Sequence, residues 1–144
     1  MNNHMIVYGE FNAEYIADRI GPNVDPFEWN SPVGEVKGRL GTDSMRLMKT
    51  SRTCVICGLQ GTIARLETHE IGVRPHFNFY GDRNGELILM TKDHIIPRAA
   101  GGKDTVSNYQ TMCSRCNGMK GCLNISNHEL KKLVKATEHD MSTM

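Results

Sequence analysis

The side chains best suited to chemistry are concentrated in one segment, residues 91–121, which reads TKDHIIPRAAGGKDTVSNYQTMCSRCNGMKG. A carboxylate and an imidazole stand side by side near its start, as Asp93 and His94. A loop with two adjacent glycines follows, and the segment closes with a C-x-x-C pair and an asparagine, Asn117. A neutral imidazole is an effective general base at cellular pH. Carboxylate and amide oxygens are suitable ligands for a hard divalent cation. These residue types therefore favour hydrolysis of a phosphodiester with the help of a divalent metal.

Four cysteines form two C-x-x-C pairs, a spacing that is typical of a zinc site. Gly58 directly follows the first pair and permits the tight turn that such a pair needs. Four thiolates complete a tetrahedron and leave no open position, so the predicted zinc is structural. A redox role for the pairs fits poorly, because there are two of them and no βαβ pattern surrounds either one. The predicted zinc ligands are Cys54, Cys57, Cys113 and Cys116.

Positive charge collects around the same segment. Residues 92–135 contain 8 Lys and Arg against 3 Asp and Glu, whereas residues 1–91 contain 9 against 11. This distribution favours a polyanionic partner, although a solvated surface is the competing interpretation. The basic residues that we expect to contact nucleic acid include Arg98, Lys103 and Arg115.

The cysteine count and the start of the chain indicate the cellular compartment in which we expect the protein. Five cysteines are an odd number, and the start of the chain, MNNHMIVYGEF, lacks a charged-then-apolar leader. No apolar run approaches the roughly 20 residues that a membrane span needs. We therefore expect a cytoplasmic protein with no membrane contact and no disulfide-linked partner. The fifth cysteine, Cys122, is predicted to be a buried or inert thiol.

Local signals place helices and strands around the reactive segment. Helix caps are predicted by type and spacing at Asn12, at either Thr42 or Asp43, and at the box Ser126-x-x-Glu129. Asn84-Gly85 is typical of a hairpin turn. Leu130, Leu133 and Val134 are predicted to form the inner face of the last helix. Residues 23–41 receive no assignment, and residues 95–108 are predicted to be an irregular loop. The predicted helices are 12–20, 42–49 and 127–138, residues 113–121 are predicted to form a helix or a tight turn, and the predicted strands are 62–68, 76–80 and 87–91.

The runs D-H-I-I-P-R-A-x-G-G and N-Y-Q-x-M-C-x-x-C-N-x-x-K-G resemble the HNH endonuclease family. The resemblance covers about residues 54–121. It implies an α+β fold with a ββα-metal core, in which two strands and a helix surround one divalent metal. It also implies that His94 is the general base and that Asp93 binds the catalytic metal.

The resemblance assigns three further roles. Asn108 is expected to brace the loop that holds the base. Asn117 is expected to complete the metal site, at a position where the family more often has histidine. Lys120 matches a basic position of the family, where it can contact the phosphate. Because Asn117 follows Cys116 directly, the structural zinc is expected to fix where the catalytic metal binds.

These observations predict a metal-dependent endonuclease with a structural Zn²⁺ and a catalytic Mg²⁺ or other divalent cation. The predicted substrate is duplex or branched DNA, and the sequence leaves RNA open. The alternative is a non-catalytic zinc-ribbon module that binds nucleic acid. The predicted organisation is an N-terminal segment (1–50), an HNH nuclease domain (51–124), and a closing helix with a frayed tail (125–144). The oligomeric state stays open, and a dimer would be required for paired cuts.

Overall fold

The computed structural model describes residues 5–21, 26–121 and 123–142, with the backbone alone for 138–142. These residues form an α+β fold, as the sequence predicted, built on one antiparallel five-stranded sheet in the order β1-β4-β5-β6-β7. A separate hairpin joins β2 to β3. The strands are β1 (Ile6–Asn12), β2 (Phe27–Ser31), β3 (Gly34–Gly38), β4 (Gly61–Thr68), β5 (His76–Arg83), β6 (Glu86–His94) and β7 (Tyr109–Cys113). The helices are α1 (Ala13–Ala17), α2 (Asp43–Thr50), α3 (Ser114–Lys120) and α4 (Asn127–Ser142).

The N-terminal region contains more strand than the sequence predicted. β1 pairs with β4 and ends at Asn12, whose side chain then caps α1 by accepting a hydrogen bond from the Glu14 amide at 2.9 Å. The unassigned segment supplies β2 and β3. Phe27 is buried, and the Trp29 ring packs edge-on against Phe11 at 5.1 Å between centroids. These aromatic contacts attach the β2–β3 hairpin to the five-stranded sheet.

The turn between β5 and β6 follows its sequence signal. Asn84 and Gly85 both have positive φ, +53° and +90°, the backbone that an Asn-Gly hairpin turn requires. β6 continues past the predicted end at Thr91 as far as His94, because its last residues pair with β7. Asp93 and His94 are therefore part of a strand and occupy fixed positions in the sheet.

β6, β7 and α3 form a ββα unit. In its register Asp93 lies opposite Gln110, and His94 lies opposite Tyr109. The strands are joined by residues 95–108, which include 3₁₀ turns at Arg98–Ala100 and Val106–Asn108 where an irregular loop was predicted. The loop folds back so tightly that a Cβ on Gly102 would come within 1.6 Å of the Ile96 carbonyl oxygen. Glycine is therefore required at this position.

α4 closes the fold beside α3. Ser126 and Glu129 form the predicted capping box, in which each side chain accepts a hydrogen bond from the other residue's backbone amide, at 3.1 and 3.2 Å. Leu130 and Val134 are buried, but Leu133 is 46% exposed, so its predicted inner position is wrong. The buried face of α4 is therefore narrower than the apolar face that the sequence predicted. α4 also extends beyond the predicted start of a frayed tail, since no Gly or Pro interrupts it.

The predicted three-part organisation stays a prediction, although residues 6–50 supply a strand to the sheet and side chains to the same apolar core as later segments. Cys122 lies outside the described residues. Within the described part of the chain, no helix is long and apolar enough to span a membrane.

Candidate active site

The two C-x-x-C pairs meet in one cluster. The sulfur atoms of Cys54, Cys57, Cys113 and Cys116 all lie within 4.8 Å of one another, and Cys57 Sγ is 3.7 Å from Cys113 Sγ. Four Zn–S bonds of about 2.3 Å in a tetrahedron would place the sulfurs roughly 3.8 Å apart, whereas a disulfide needs about 2.05 Å. The cluster therefore fits a zinc ion and contains no disulfide.

Short local structures position the ligands. Gly58 turns the first pair back with φ +81°, and its amide donates to the Cys54 carbonyl at 3.0 Å. Cys113 ends β7 and caps α3, where its sulfur accepts a hydrogen bond from the Cys116 amide at 3.5 Å. The amide of Val55 donates to the Thr111 carbonyl at 3.0 Å and so links the first pair to β7. The cysteine cluster thus joins the segment before β4 to the helix of the ββα unit.

The buried thiols perturb one another. Hydrogen bonds from Cys113 and then Cys116 lower the pKa of Cys54, because they stabilise its thiolate. The pKa of Cys116 is raised, first by its hydrogen bond with Cys113 and then by that with Cys54 and by burial. One negative charge in the cluster therefore opposes the next. A bound dication would offset this repulsion and allow all four thiolates to form.

A second site lies at the other end of α3. A cavity of about 450 Å³ brings together three of the four predicted catalytic residues, Asp93, His94 and Asn117. The fourth, Asn108, lies in the loop beside it and contacts the backbone of that loop. The lining residues are Lys92, Asp93, His94, Pro97, Arg98, Ala99, Asn117, Lys120 and Gly121.

Asp93 is held by two donors. It is 7% exposed, and its Oδ2 accepts hydrogen bonds from Lys120 Nζ at 2.7 Å and from Gln110 Nε2 at 3.0 Å. Lys120 is 2% exposed and also donates to the His94 carbonyl oxygen at 2.8 Å. This geometry corrects the predicted phosphate contact of Lys120. A buried ammonium bonded to two protein oxygens orients Asp93 and the end of β6, since exposing it would leave Asp93 unpaired.

Asn117 is oriented from the neighbouring strand. Its Nδ2 donates to Thr91 Oγ1 at 2.8 Å, and Thr91 Oγ1 donates in turn to the Met112 carbonyl oxygen at 2.6 Å. Among the described residues, Asn117 Oδ1 and Asp93 Oδ1 accept no hydrogen bond. Two oxygens of the kind that Mg²⁺ prefers are thus available in one cavity. The residues fit a divalent cation that keeps several of its waters.

His94 lies at the exposed end of β6. Its Nε2 is 2.7 Å from Asp104 Oδ1, and its ring meets the buried Tyr109 ring edge-on at 5.0 Å. Arg98 Nε donates to the same Asp104 oxygen at 2.9 Å. Hydrogen bonds from His94 and then Arg98 lower the pKa of Asp104. The imidazole is therefore fixed by a carboxylate on one side and an aromatic ring on another.

Asn108 makes three side-chain hydrogen bonds across the loop. Its Oδ1 accepts from the Ile96 amide at 2.9 Å, and its Nδ2 donates to the carbonyl oxygens of Ile96 at 3.0 Å and Lys103 at 2.9 Å. Its own carbonyl accepts from the Ile95 amide at 2.8 Å. These bonds join the two ends of the loop directly after His94.

The other basic residues predicted to contact nucleic acid lie in different parts of the structure. Arg98 lines the cavity and is 71% exposed at its side chain, and Lys103 is exposed in the same loop. Arg115 is half-buried and lines a different cavity, together with Tyr80. Arg115 therefore does not line the cavity that contains His94.

Asp104, Gln110, Thr91 and Tyr109 support the site but were not predicted to do so. Each of these four residues contacts a predicted site residue only because the chain folds back on itself. No sequence motif around any of them indicates this role. Only pairing of β6 with β7 could have suggested Gln110 and Tyr109, since they lie opposite Asp93 and His94.

Residues 86–128 match the model of the HNH endonuclease family. The matched segment contains the whole ββα unit and the second cysteine pair, so this part of the chain is similar to an HNH endonuclease domain, and the resemblance seen in the sequence is confirmed. The match spans less than a third of the chain and does not include Cys54 and Cys57. No curated protein and no solved structure matches the chain.

Proposed function

We propose that this protein is a metal-dependent endonuclease that hydrolyses phosphodiester bonds in DNA. The observation that carries this proposal is the convergence of His94, Asp93 and Asn117 on one cavity within the HNH-matched segment. An imidazole beside two hard oxygen donors supplies a base and a cation site at the same place, which phosphodiester hydrolysis requires.

His94 acts as the general base. A water molecule gives a proton to the free imidazole nitrogen as its oxygen attacks phosphorus. The bond from phosphorus to the leaving oxygen breaks, and its electron pair stays on that oxygen, which then takes a proton from solvent. Tyr109 and Asp104 hold the imidazole in place, and Asn108 keeps the following loop closed.

Asp93 and Asn117 would hold the divalent cation. When bound, this cation stabilises the negative charge that grows on the phosphate and the leaving oxygen. Lys120 and Gln110 fix Oδ2 of Asp93, so the other carboxylate oxygen is directed to a constant position. Thr91 does the same for the Asn117 amide.

A nucleic acid is the class of substrate that the charge favours. Arg98 and Lys103 extend from the loop beside the cavity, and the segment from residue 92 to residue 135 has an excess of basic residues. Exposed guanidinium and ammonium groups contact phosphates without selecting a base sequence. We therefore propose binding through the backbone, without assigning a sequence preference.

The test is cleavage of supercoiled plasmid by zinc-loaded protein, with Mg²⁺, with Mn²⁺ and with neither. We expect nicked or linear product only when one of these ions is present. Linear, nicked and branched DNA and single-stranded RNA, run in parallel, define the substrate class. Binding of DNA with no cleavage in any metal would favour the non-catalytic zinc-ribbon module, and cleavage of RNA alone would refute the assignment to DNA.

A further inference from the structure

The hydrogen bond between His94 and Asp104 decides which imidazole nitrogen can act. The two atoms His94 Nε2 and Asp104 Oδ1 are 2.7 Å apart. A neutral imidazole has one N–H and one lone pair, and an ionised carboxylate can only accept. Nε2 must therefore carry the proton in this bond, and Nδ1 is left with the lone pair.

Asp104 is itself held as an acceptor. Arg98 Nε donates to the same oxygen at 2.9 Å, so the carboxylate receives one hydrogen bond from a permanent cation and one from His94. The loop that carries Asp104 is closed by Asn108, which bonds the Lys103 carbonyl one residue earlier at 2.9 Å. The acceptor position is thus fixed by the loop.

Tyr109 limits the other freedom of the imidazole. Its ring lies edge-on to His94 at an interplanar angle of 87°, and Lys92 Nζ lies 4.5 Å from the centre of the Tyr109 ring. Tyr109 is 6% exposed, so its ring is a packed surface that His94 rests against. A half-turn flip of the imidazole about its Cβ–Cγ bond exchanges Nε2 with Cε1 and would therefore lose the bond to Asp104.

We infer that Asp104 is a positioning residue that holds His94 in the Nε2–H tautomer and leaves Nδ1 as the base for the attacking water. This role rests on the proposed function, because the choice of nitrogen matters only if His94 accepts a proton. It adds a residue that the sequence did not single out. The pairing uses the general rule that the partner of one ring nitrogen sets the state of the other.

The role predicts an effect on rate without an effect on folding. Asp104 is exposed, with 57% of its side chain accessible, so its removal should leave the fold and the zinc intact. Without the acceptor, His94 would populate both tautomers and more than one ring orientation. Because a general base contributes about 10²–10⁴ in rate, we expect cleavage to fall by roughly 10-fold or more.

Nitrogen NMR of histidine-labelled protein tests the inference directly. Long-range proton–nitrogen correlations distinguish the two tautomers, and we would record them at about pH 8. Wild type should show His94 as Nε2–H. Asp104→Ala should show a mixture, Asp104→Glu should restore the wild-type form in part, and the control Glu35→Gln, an exposed acid on β3 outside the cavity, should change nothing.

Two results would overturn the inference. One is a wild-type His94 that carries its proton on Nδ1. The other is an Asp104→Ala variant with the wild-type tautomer and the wild-type cleavage rate. Failure of the proposed function has a different signature, because wild-type protein would then cleave no substrate in any metal, whatever tautomer His94 has.

Discussion

Asn108 offers a quantitative test of how the loop supports the site. Replacement by alanine removes three side-chain hydrogen bonds, with lengths of 2.9, 3.0 and 2.9 Å. A net contribution of about 1 kcal/mol for each bond gives an upper figure of about 3 kcal/mol. Ile96 is 50% exposed, so water can replace part of what is lost. We therefore expect Asn108→Ala to reduce the free energy of unfolding by about 1–3 kcal/mol.

Thermal unfolding and plasmid cleavage measure the two consequences. For a chain of this size the loss corresponds to a decrease in Tm of roughly 3–10 °C. The cleavage rate of the folded variant should also fall, because loosening the loop displaces His94. A shift of about 1 Å in a catalytic group can cost about 100-fold in rate. Zinc content should be unchanged, since Asn108 forms no hydrogen bond with any of the four cysteines.

Two variants sharpen the Asn108 test. Ser107→Ala is the matched control, because Ser107 is an exposed neighbour whose hydroxyl pairs only with Thr105 within the described residues, and its Tm should stay within about 1–2 °C of wild type. Asn108→Asp should be no better than alanine, since a carboxylate oxygen would face the carbonyls of Ile96 and Lys103. An Asn108→Ala protein with wild-type Tm and wild-type cleavage would refute the bracing role.

Three further predictions follow from the same contacts. Asp93→Ala and Asn117→Ala should weaken cleavage and the binding of Mn²⁺ measured by calorimetry while zinc content stays at one per chain; unchanged Mn²⁺ affinity would remove both residues from the cation site. Lys120→Met should lower the free energy of unfolding, measured in urea, by about 3–5 kcal/mol, because it leaves Asp93 buried without its cation. Added Mn²⁺ should restore part of that loss. An unchanged free energy of unfolding would contradict the buried pair. Cys113→Ser should lose zinc, folding and cleavage together, and a folded, zinc-free, active variant would contradict a structural zinc.

Capping and turn residues could be predicted from sequence because their signals are local. Asn12 caps α1 and Thr42 caps α2, and in each case the side-chain oxygen accepts a hydrogen bond from a backbone amide two or three residues later. Asn84 and Gly85 make the hairpin turn for reasons contained in the two residues themselves. The C-x-x-C spacing is likewise a local constraint, and it identified all four members of the cysteine cluster.

β1 and β7 could not be predicted in this way because their stability comes from pairing. Gly9 and Glu10 interrupt the alternation of β1, whose register also shifts between Val7 and Gly9. β7 is only five residues long and follows a loop. Both strands are held by neighbours that are distant in sequence, and tertiary pairing overrides weak local preference here.

Parts of the candidate site were hidden for the same reason. Asp104 looks like an ordinary loop acid, and only the closure of residues 95–108 brings it to His94 ten residues earlier. Lys120 matched a basic motif position, yet the sequence does not reveal that α3 directs this side chain to Asp93. The burial of a side chain and the atoms that it contacts depend on the packed fold. The motif therefore identified Lys120 as a site residue but did not predict its contact with Asp93.

The most direct measurement is the cleavage rate of His94→Ala beside wild type and the matched control His69→Ala. His69 is an exposed histidine that lines another cavity, so its removal should not affect the reaction. All three proteins should have equal zinc content and equal Tm to within a few degrees. We predict that His94→Ala cleaves plasmid about 10²–10⁴-fold more slowly in Mg²⁺ or Mn²⁺, while His69→Ala matches wild type. Equal rates for wild type and His94→Ala in every metal would contradict an endonuclease with His94 as its base.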